Sequence, residues 1–401
     1  MTLQLAERIR LVKPSATLSL VAEVGRLRAT GHDIVSLEGG EPDCDTPEYI
    51  KLAAVAALRA GHTKYTAVDG TTSLKRAIIK KFDRENGLNY KLDQILVSCG
   101  AKQAFYNLCQ ALLNPGHEVI IPAPFWVSYP DIVMLAAATP VIVPTGINQS
   151  FKISPQQLEA AITSRTRLIV LNSPSNPTGA VYDMDELQAL GEVIRRHPGV
   201  MVASDDIYER IVLDERRIDN LVTACPDLYE RVVVINGVSK AYSMTGWRIG
   251  YAAGPRSLIA AMKTIQSQST SNPTSIAQYA AEAALLGDQG TVDTMNTIFR
   301  ERHEYLIGAL NRIDGIRCIP SIGAFYAFPD VSDAIKAMQL KTDQEFSKVL
   351  LEKALVAVAP GSAFGAEGHI RVSFATSMED LNKGVKRIGD LLGWRTARIL
   401  P

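Results

Sequence analysis

LIVLNSPSNPTG, residues 168–179, and VMVASDDIY, residues 200–208, decide the fold. Each is a continuous apolar run that ends in a polar turn. Between them, residues 183–196 place apolar side chains at helical spacing. A strand that is apolar at nearly every position is one covered on both faces. A strand–helix–strand order predicts parallel neighbours joined by a crossover. Outward from this unit, similar runs stand at 95–98, 118–121, 141–143, 232–235 and 249–252. Helical stretches fall at 102–113, 126–137 and 155–162. The expected fold class is α/β, with a large, mostly parallel seven-stranded sheet and helices on both faces.

After Asn272 the pattern changes to a mainly helical stretch, 274–313, then short strand-like runs at 324–328, 356–359 and 370–374. The segment before Tyr49 has no place in the central sheet. The expected layout is a smaller α+β domain formed by both chain termini. Residues 1–49 make an N-terminal arm and part of that domain, 50–290 the large domain, and 291–401 the C-terminal small domain.

Composition narrows the function. Lys plus Arg, 42, equals Asp plus Glu, 42, so there is no basic surplus for a nucleic-acid partner. Cys44, Cys99, Cys109, Cys225 and Cys318 are scattered, with neither a disulfide framework nor a zinc signature. The six histidines have no metal-ligand spacing, so no metal is expected. Met1 to Lys13 carries charges and no apolar core of a signal peptide. The apolar stretch 131–147 is short and broken by Pro140 and Pro144. The expected location is the cytoplasm, with no membrane contact.

Open parallel sheets bind ligands beyond the carboxyl ends of their strands. There the first strand runs into Ser98-Cys99-Gly100-Ala101-Lys102 and opens a helix, whose free N–H groups favour an anion. Neither a P-loop nor a G-x-G-x-x-G fingerprint is present. The turn Asn172–Gly179 presents Asn176 as an amide. Asp205 ends a buried strand, where a carboxylate is costly unless paired, for example with a protonated pyridine nitrogen. Lys240 follows another strand. A lysine held beneath a carbonyl cofactor can form a Schiff base, and Arg248 suits a phosphate. Taken singly, each also reads as a turn, a cap or a surface residue.

In this order, Asn-Pro-x-Gly, Ser-Asp-x-x-Tyr, Ser-Lys and Gly-Trp-Arg-x-Gly resemble the fold-type I, class I/II pyridoxal-phosphate-dependent aminotransferases. Lys13-Pro-Ser-Ala-Thr17, Gly39-Gly-Glu-Pro-Asp43 and Trp126-Val-Ser-Tyr-Pro130 look closest to the bacterial aspartate aminotransferase subgroup. The resemblance runs from about Lys13 to Leu392. It implies pyridoxal 5'-phosphate as cofactor, held on Lys240, which also moves the substrate proton. Asp205 would pair with the ring nitrogen, Tyr208 and Asn176 with the phenolic oxygen, and Trp126 would stack on the ring and border the substrate. Gly100, Ala101, Lys102 and Arg248 would hold the phosphate. Tyr65 would reach that phosphate from a neighbouring subunit, giving a homodimer with shared sites. Arg371, Gly40 and Asn176 would bind the substrate α-carboxylate. Lys13, Ser15 and Thr17 are the candidates for the distal carboxylate, since Gln110 is neutral where a relative carries a cation. By itself Arg371 reads as a strand-edge surface residue.

This sequence departs from the family pattern at Gly237, where some relatives place a phosphate-binding hydroxyl, and at Asp206, where a Glu is more usual. The implied reaction moves an amino group between L-aspartate and 2-oxoglutarate, giving oxaloacetate and L-glutamate in ping-pong order. Prephenate or aromatic partners, and another reaction of the same cofactor such as β-elimination, are the alternatives. A non-catalytic cofactor sensor would need an attached DNA-binding module, for which the resemblance leaves little chain.

Overall fold

The computed structural model describes residues 3–14 and 16–393. Its large sheet is built from β1 (Ile95–Ser98), β2 (Glu118–Ala123), β3 (Thr139–Pro144), β4 (Thr166–Asn172), β5 (Met201–Asp205), β6 (Val232–Gly237) and β7 (Gly250–Ala253). The seven strands lie in the order β1-β7-β6-β5-β4-β2-β3. Strand β7 runs antiparallel to both neighbours, and every other pair is parallel. All residues of β1 and β6 are buried. Ile95 and Val97 pack on one face while Leu96 packs on the other, the alternation a doubly covered strand demands.

Helices cover both faces. Ala101–Leu112 buries Ala104, Phe105, Leu108 and Cys109, one stripe along its length. Met184–Arg196 starts in a capping box, with the Asp183 carboxylate accepting from Glu186 N–H and the Glu186 carboxylate accepting from Asp183 N–H. Ala101–Leu112 has no such cap: Gly100 stands at its start and supplies no side chain.

The helical stretch 274–313 is two helices, Ser275–Leu286 and Gly290–Leu310. They part at Gly287, where a Cβ would lie 2.5 Å from the Tyr49 ring. Beyond them a three-stranded antiparallel sheet places Ile370–Ser373 between Ala359–Pro360 and Tyr326–Ala327. The N-terminal pair Val35–Ser36 joins Val356–Ala357 in parallel. Leu37 packs there with Leu381, Val385 and Ile388 of the helix Met378–Leu391, forming a core separate from those of the large sheet.

Candidate active site

Parallel register puts the ends of β4, β5 and β6 side by side: Asn172 pairs with Asp205, and Asp205 with Ile235. The three loops that follow carry Asn176, Tyr208 and Lys240 into one cleft. Asn172 ties two of them together, donating from Nδ2 to Asp205 O at 2.8 Å and accepting from Asn176 N–H at 2.9 Å.

Asp205 is buried. Its Oδ2 accepts from the Tyr129 hydroxyl at 2.5 Å and its Oδ1 from Ile207 N–H at 3.3 Å. Burial pushes its pKa up to about 6, against the pull of Tyr129 and Lys240. Lys240 lies above the Tyr208 ring, its Nζ 5.9 Å from the centroid, and donates to Gly40 O at 2.6 Å. Burial, and then Arg371, bring its amine down to about 8. The Tyr208 hydroxyl meets that of Tyr326 at 3.0 Å.

One end of the cleft suits a phosphate. The N–H groups of Ala101 and Lys102 open their helix and have no intrahelical acceptor. Arg248 has a left-handed backbone, φ 56°, unusual for a residue with a side chain. This turn brings its guanidinium onto Thr245 O at 2.8 Å and Cys99 O at 3.3 Å. At Gly100 an added Cβ would sit 2.2 Å from Arg248 Nη2, so backbone and guanidinium close on each other without an intervening side chain. Gly237 has no room for a hydroxyl-bearing side chain either, since a Cβ there would be 2.9 Å from Ile249 O. A phosphate acceptor site at one end and a buried carboxylate at the other fit a phosphorylated pyridine between them.

Arg371 corrects the surface reading of its sequence context. It lies in the middle strand of the small sheet and is 3 % exposed. Its Nη1 donates to Asn176 Oδ1 at 2.9 Å and its Nη2 to Glu38 O at 2.6 Å. The Tyr326 and Phe364 rings flank it, with centroids 4.4 and 4.9 Å from Cζ. Its Nε–H is buried with no acceptor among the described residues. A substrate carboxylate would supply one, and an unmet buried donor costs about 1–3 kcal/mol.

Trp126 stands half-buried beside this cleft, with Lys102 Nζ 5.0 Å from its ring. Tyr65 does not join the site within one chain and is 91 % exposed. Lys13 is exposed, tied by its backbone N–H to Asp131 Oδ1 at 3.4 Å. Ser15 lies outside the described residues, as does the Thr17 side chain. Gln110 turns away, donating to Leu135 O at 3.3 Å. Asp206 also points elsewhere, accepting from Ser204 and Asn220. No group of residues able to hold a metal occurs among the described residues.

Sequence reasoning assigned no role to Tyr129, Asn172, Tyr326 or Phe364. Tyr129 had one usable signal, its position one helical turn after Trp126, and their rings meet edge to face at 5.1 Å.

The family model for aminotransferase class I and II matches residues 32–388, nearly the whole chain. The chain belongs to this aminotransferase family. Its members are pyridoxal-phosphate enzymes, and the cofactor of this aminotransferase is pyridoxal 5'-phosphate. Similar proteins include an aspartate/prephenate aminotransferase of Nitrosomonas europaea, 58 % identical over 97 % of this chain and 100 % of its own. An aspartate aminotransferase of Geobacillus stearothermophilus is 49 % identical over 96 % and 98 %. Among solved structures, the aspartate aminotransferase of Rhizobium meliloti superposes with TM-score 0.94 at 46 % identity, covering 98 % and 99 % of the two chains. That of Thermus thermophilus with maleate gives 0.92 at 41 %, covering 97 % and 100 %. This aminotransferase takes amino-acid and 2-oxo-acid substrates. No helix among the described residues is long and apolar enough to cross a membrane.

Proposed function

We propose that this aminotransferase moves the amino group of L-aspartate to 2-oxoglutarate, yielding oxaloacetate and L-glutamate in ping-pong order. The observation that carries the reading is the meeting of Lys240, Asp205 and a half-satisfied Arg371 in one cleft. Relatives named for aspartate, one of them solved with the four-carbon dicarboxylate maleate, support the substrate.

Bound pyridoxal phosphate supplies a sink for the electron pair left when a substrate α-proton departs. The chain's own residues do the rest. Gly100, Ala101, Lys102 and Arg248 hold the phosphate. Asp205 would pair with the ring nitrogen, Tyr208 and Asn176 with the phenolic oxygen, and Trp126 would stack on the ring. Arg371 orients the α-carboxylate through its free Nε–H, with Gly40 and Asn176 beside it. Lys240 Nζ, held in the cleft by its bond to Gly40 O, takes the α-proton and returns it, general acid–base work by a pre-positioned amine whose pKa burial lowers. Lys13, Ser15 and Thr17 are proposed to read the distal carboxylate.

The enzyme is proposed to act as a homodimer. Tyr65 is 91 % exposed, and Leu52, Val55 and Leu58 expose an apolar stripe on the helix Glu48–Arg59. Beside Arg248 lies a cavity of about 480 Å³ bordered by Thr46, Trp247 and Thr274. The division at residues 49 and 290 is proposed with it, supported by the separate core around Leu37, Phe299 and Leu381. Five free cysteines support a cytoplasmic location.

The test is the visible absorbance band that forms when pyridoxal phosphate is added to purified protein. Loss of the band on adding L-aspartate is the expected result. A band unmoved by aspartate but lost with aromatic amino acids removes aspartate as substrate. Failure of the band to form, or its persistence in Lys240→Ala, removes Lys240 from its role. Because a relative at 58 % identity is named for both aspartate and prephenate, prephenate is the second acceptor to assay.

A further inference from the structure

We propose that Tyr129 is a positioning residue that fixes Asp205 as an oriented, ionised acceptor for the cofactor's ring nitrogen. The proposal rests on the reading that Asp205 faces that nitrogen. Both side chains are buried, and the phenol donates to Oδ2 at 2.5 Å. A hydroxyl donating to a carboxylate stabilises the charged form and is among the stronger neutral-to-ion hydrogen bonds. The other oxygen has only the long contact to Ile207 N–H at 3.3 Å, so Tyr129 is the tighter of the two restraints on how the carboxylate is turned. Tyr129 itself cannot swing away. It lies in the helix Ser128–Leu135, edge-on to Phe105 at 4.9 Å and to Trp126 at 5.1 Å. The other ionisable groups that bear on Asp205 and Tyr129 are Lys240, Tyr208 and Asp206. Asp206 is already occupied by Ser204 and Asn220, and Tyr208 by Tyr326. Among the described residues, Tyr129 is thus the one phenol bonded to Asp205.

The experiment compares Tyr129→Phe with wild type in binding two probes to the cofactor-free full chain. One is pyridoxal 5'-phosphate. The other is its 1-deaza analogue, which carries carbon in place of the ring nitrogen. Wild type should prefer the true cofactor. In Tyr129→Phe the dissociation constant for pyridoxal 5'-phosphate should rise roughly 10- to 100-fold, the loss of one hydrogen bond to a charged group. That for the deaza analogue should stay within about threefold, which also shows that the variant is folded around its site. Turnover in the reconstituted variant should fall with little change in KM for aspartate. Equal weakening for both probes makes Tyr129 a packing residue and overturns the proposal, as does an unchanged preference for the true cofactor. If wild type itself binds the two probes alike, the reading of Asp205 fails first.

Discussion

Asp205 ends its strand with one oxygen on the Tyr129 hydroxyl and the other on Ile207 N–H, and among the described residues it forms no ion pair. Burial therefore dominates its titration. Its pKa moves from 3.8 in the unfolded chain to about 6 in the folded one. The folded chain binds that proton more tightly, so the linked stability is present below pH 3.8 and is lost as pH rises through about 6. In cofactor-free protein the ionised carboxylate should cost ~3 kcal/mol near neutral pH. Asp205→Asn removes the titration. Its thermal midpoint relative to wild type, measured without cofactor, should rise as pH goes from about 4 to about 6 and then level off, and added pyridoxal phosphate should close the gap by stabilising wild type. A gap that ignores pH would mean that Asp205 carries no such cost. Arg371 has the opposite problem, a fixed positive charge with one donor unmet. Arg371→Ala should weaken aspartate binding by about 2–5 kcal/mol, the range for truncating one side of a buried charge pair. Spectral titration with aspartate checks this, and an unchanged affinity would remove Arg371 from the site.

The helix Ala101–Leu112 lacks the side-chain cap that Met184–Arg196 has, and the difference falls where the phosphate belongs. Gly100 has φ +87°, and a Cβ there would collide with Arg248 Nη2. Gly100→Ala should cost about 1–3 kcal/mol of strain and push the guanidinium off the helix start. The matching measurement sets affinity for pyridoxal phosphate against affinity for phosphate-free pyridoxal. Only the former should drop markedly. Elements of this kind were legible in the sequence, because a buried strand and the turn after it are contiguous. β1 falls on the expected residues 95–98, and the loops bearing Asn176 and Lys240 and the strand end bearing Asp205 were read from short motifs. The second layer was not legible. Tyr326 reaches Tyr208 across 118 positions, and no local pattern announces it. Arg371 looked like an edge residue because its flanking strands, Ala359–Pro360 and Tyr326–Ala327, are only two residues long and carry almost no periodicity.

At the scale of the whole molecule, Tyr65 stands out as a large aromatic side chain that is 91 % exposed. If it completes the site of a second copy, two inactive variants should repair each other. Lys240→Ala and Tyr65→Ala, unfolded and refolded together, should regain activity. One of the two sites in a mixed pair then holds an intact Lys240 and an intact Tyr65. No recovery, with both variants shown to be folded and paired, would make the sites independent. The pairing of Val35 with Val356 has a consequence during synthesis. The two strands leave the ribosome roughly 320 residues apart, which at 5–20 residues per second is about 15–65 s. The nascent chain can finish its large sheet while the first strand still waits for its mate. Gly40, just beyond that strand, and Arg371, the last of the site residues to emerge, are brought together only after translation has nearly ended. The birth of a working enzyme is thus timed by its tail, and a ribosome stalled late would leave a folded body without a grip on its substrate.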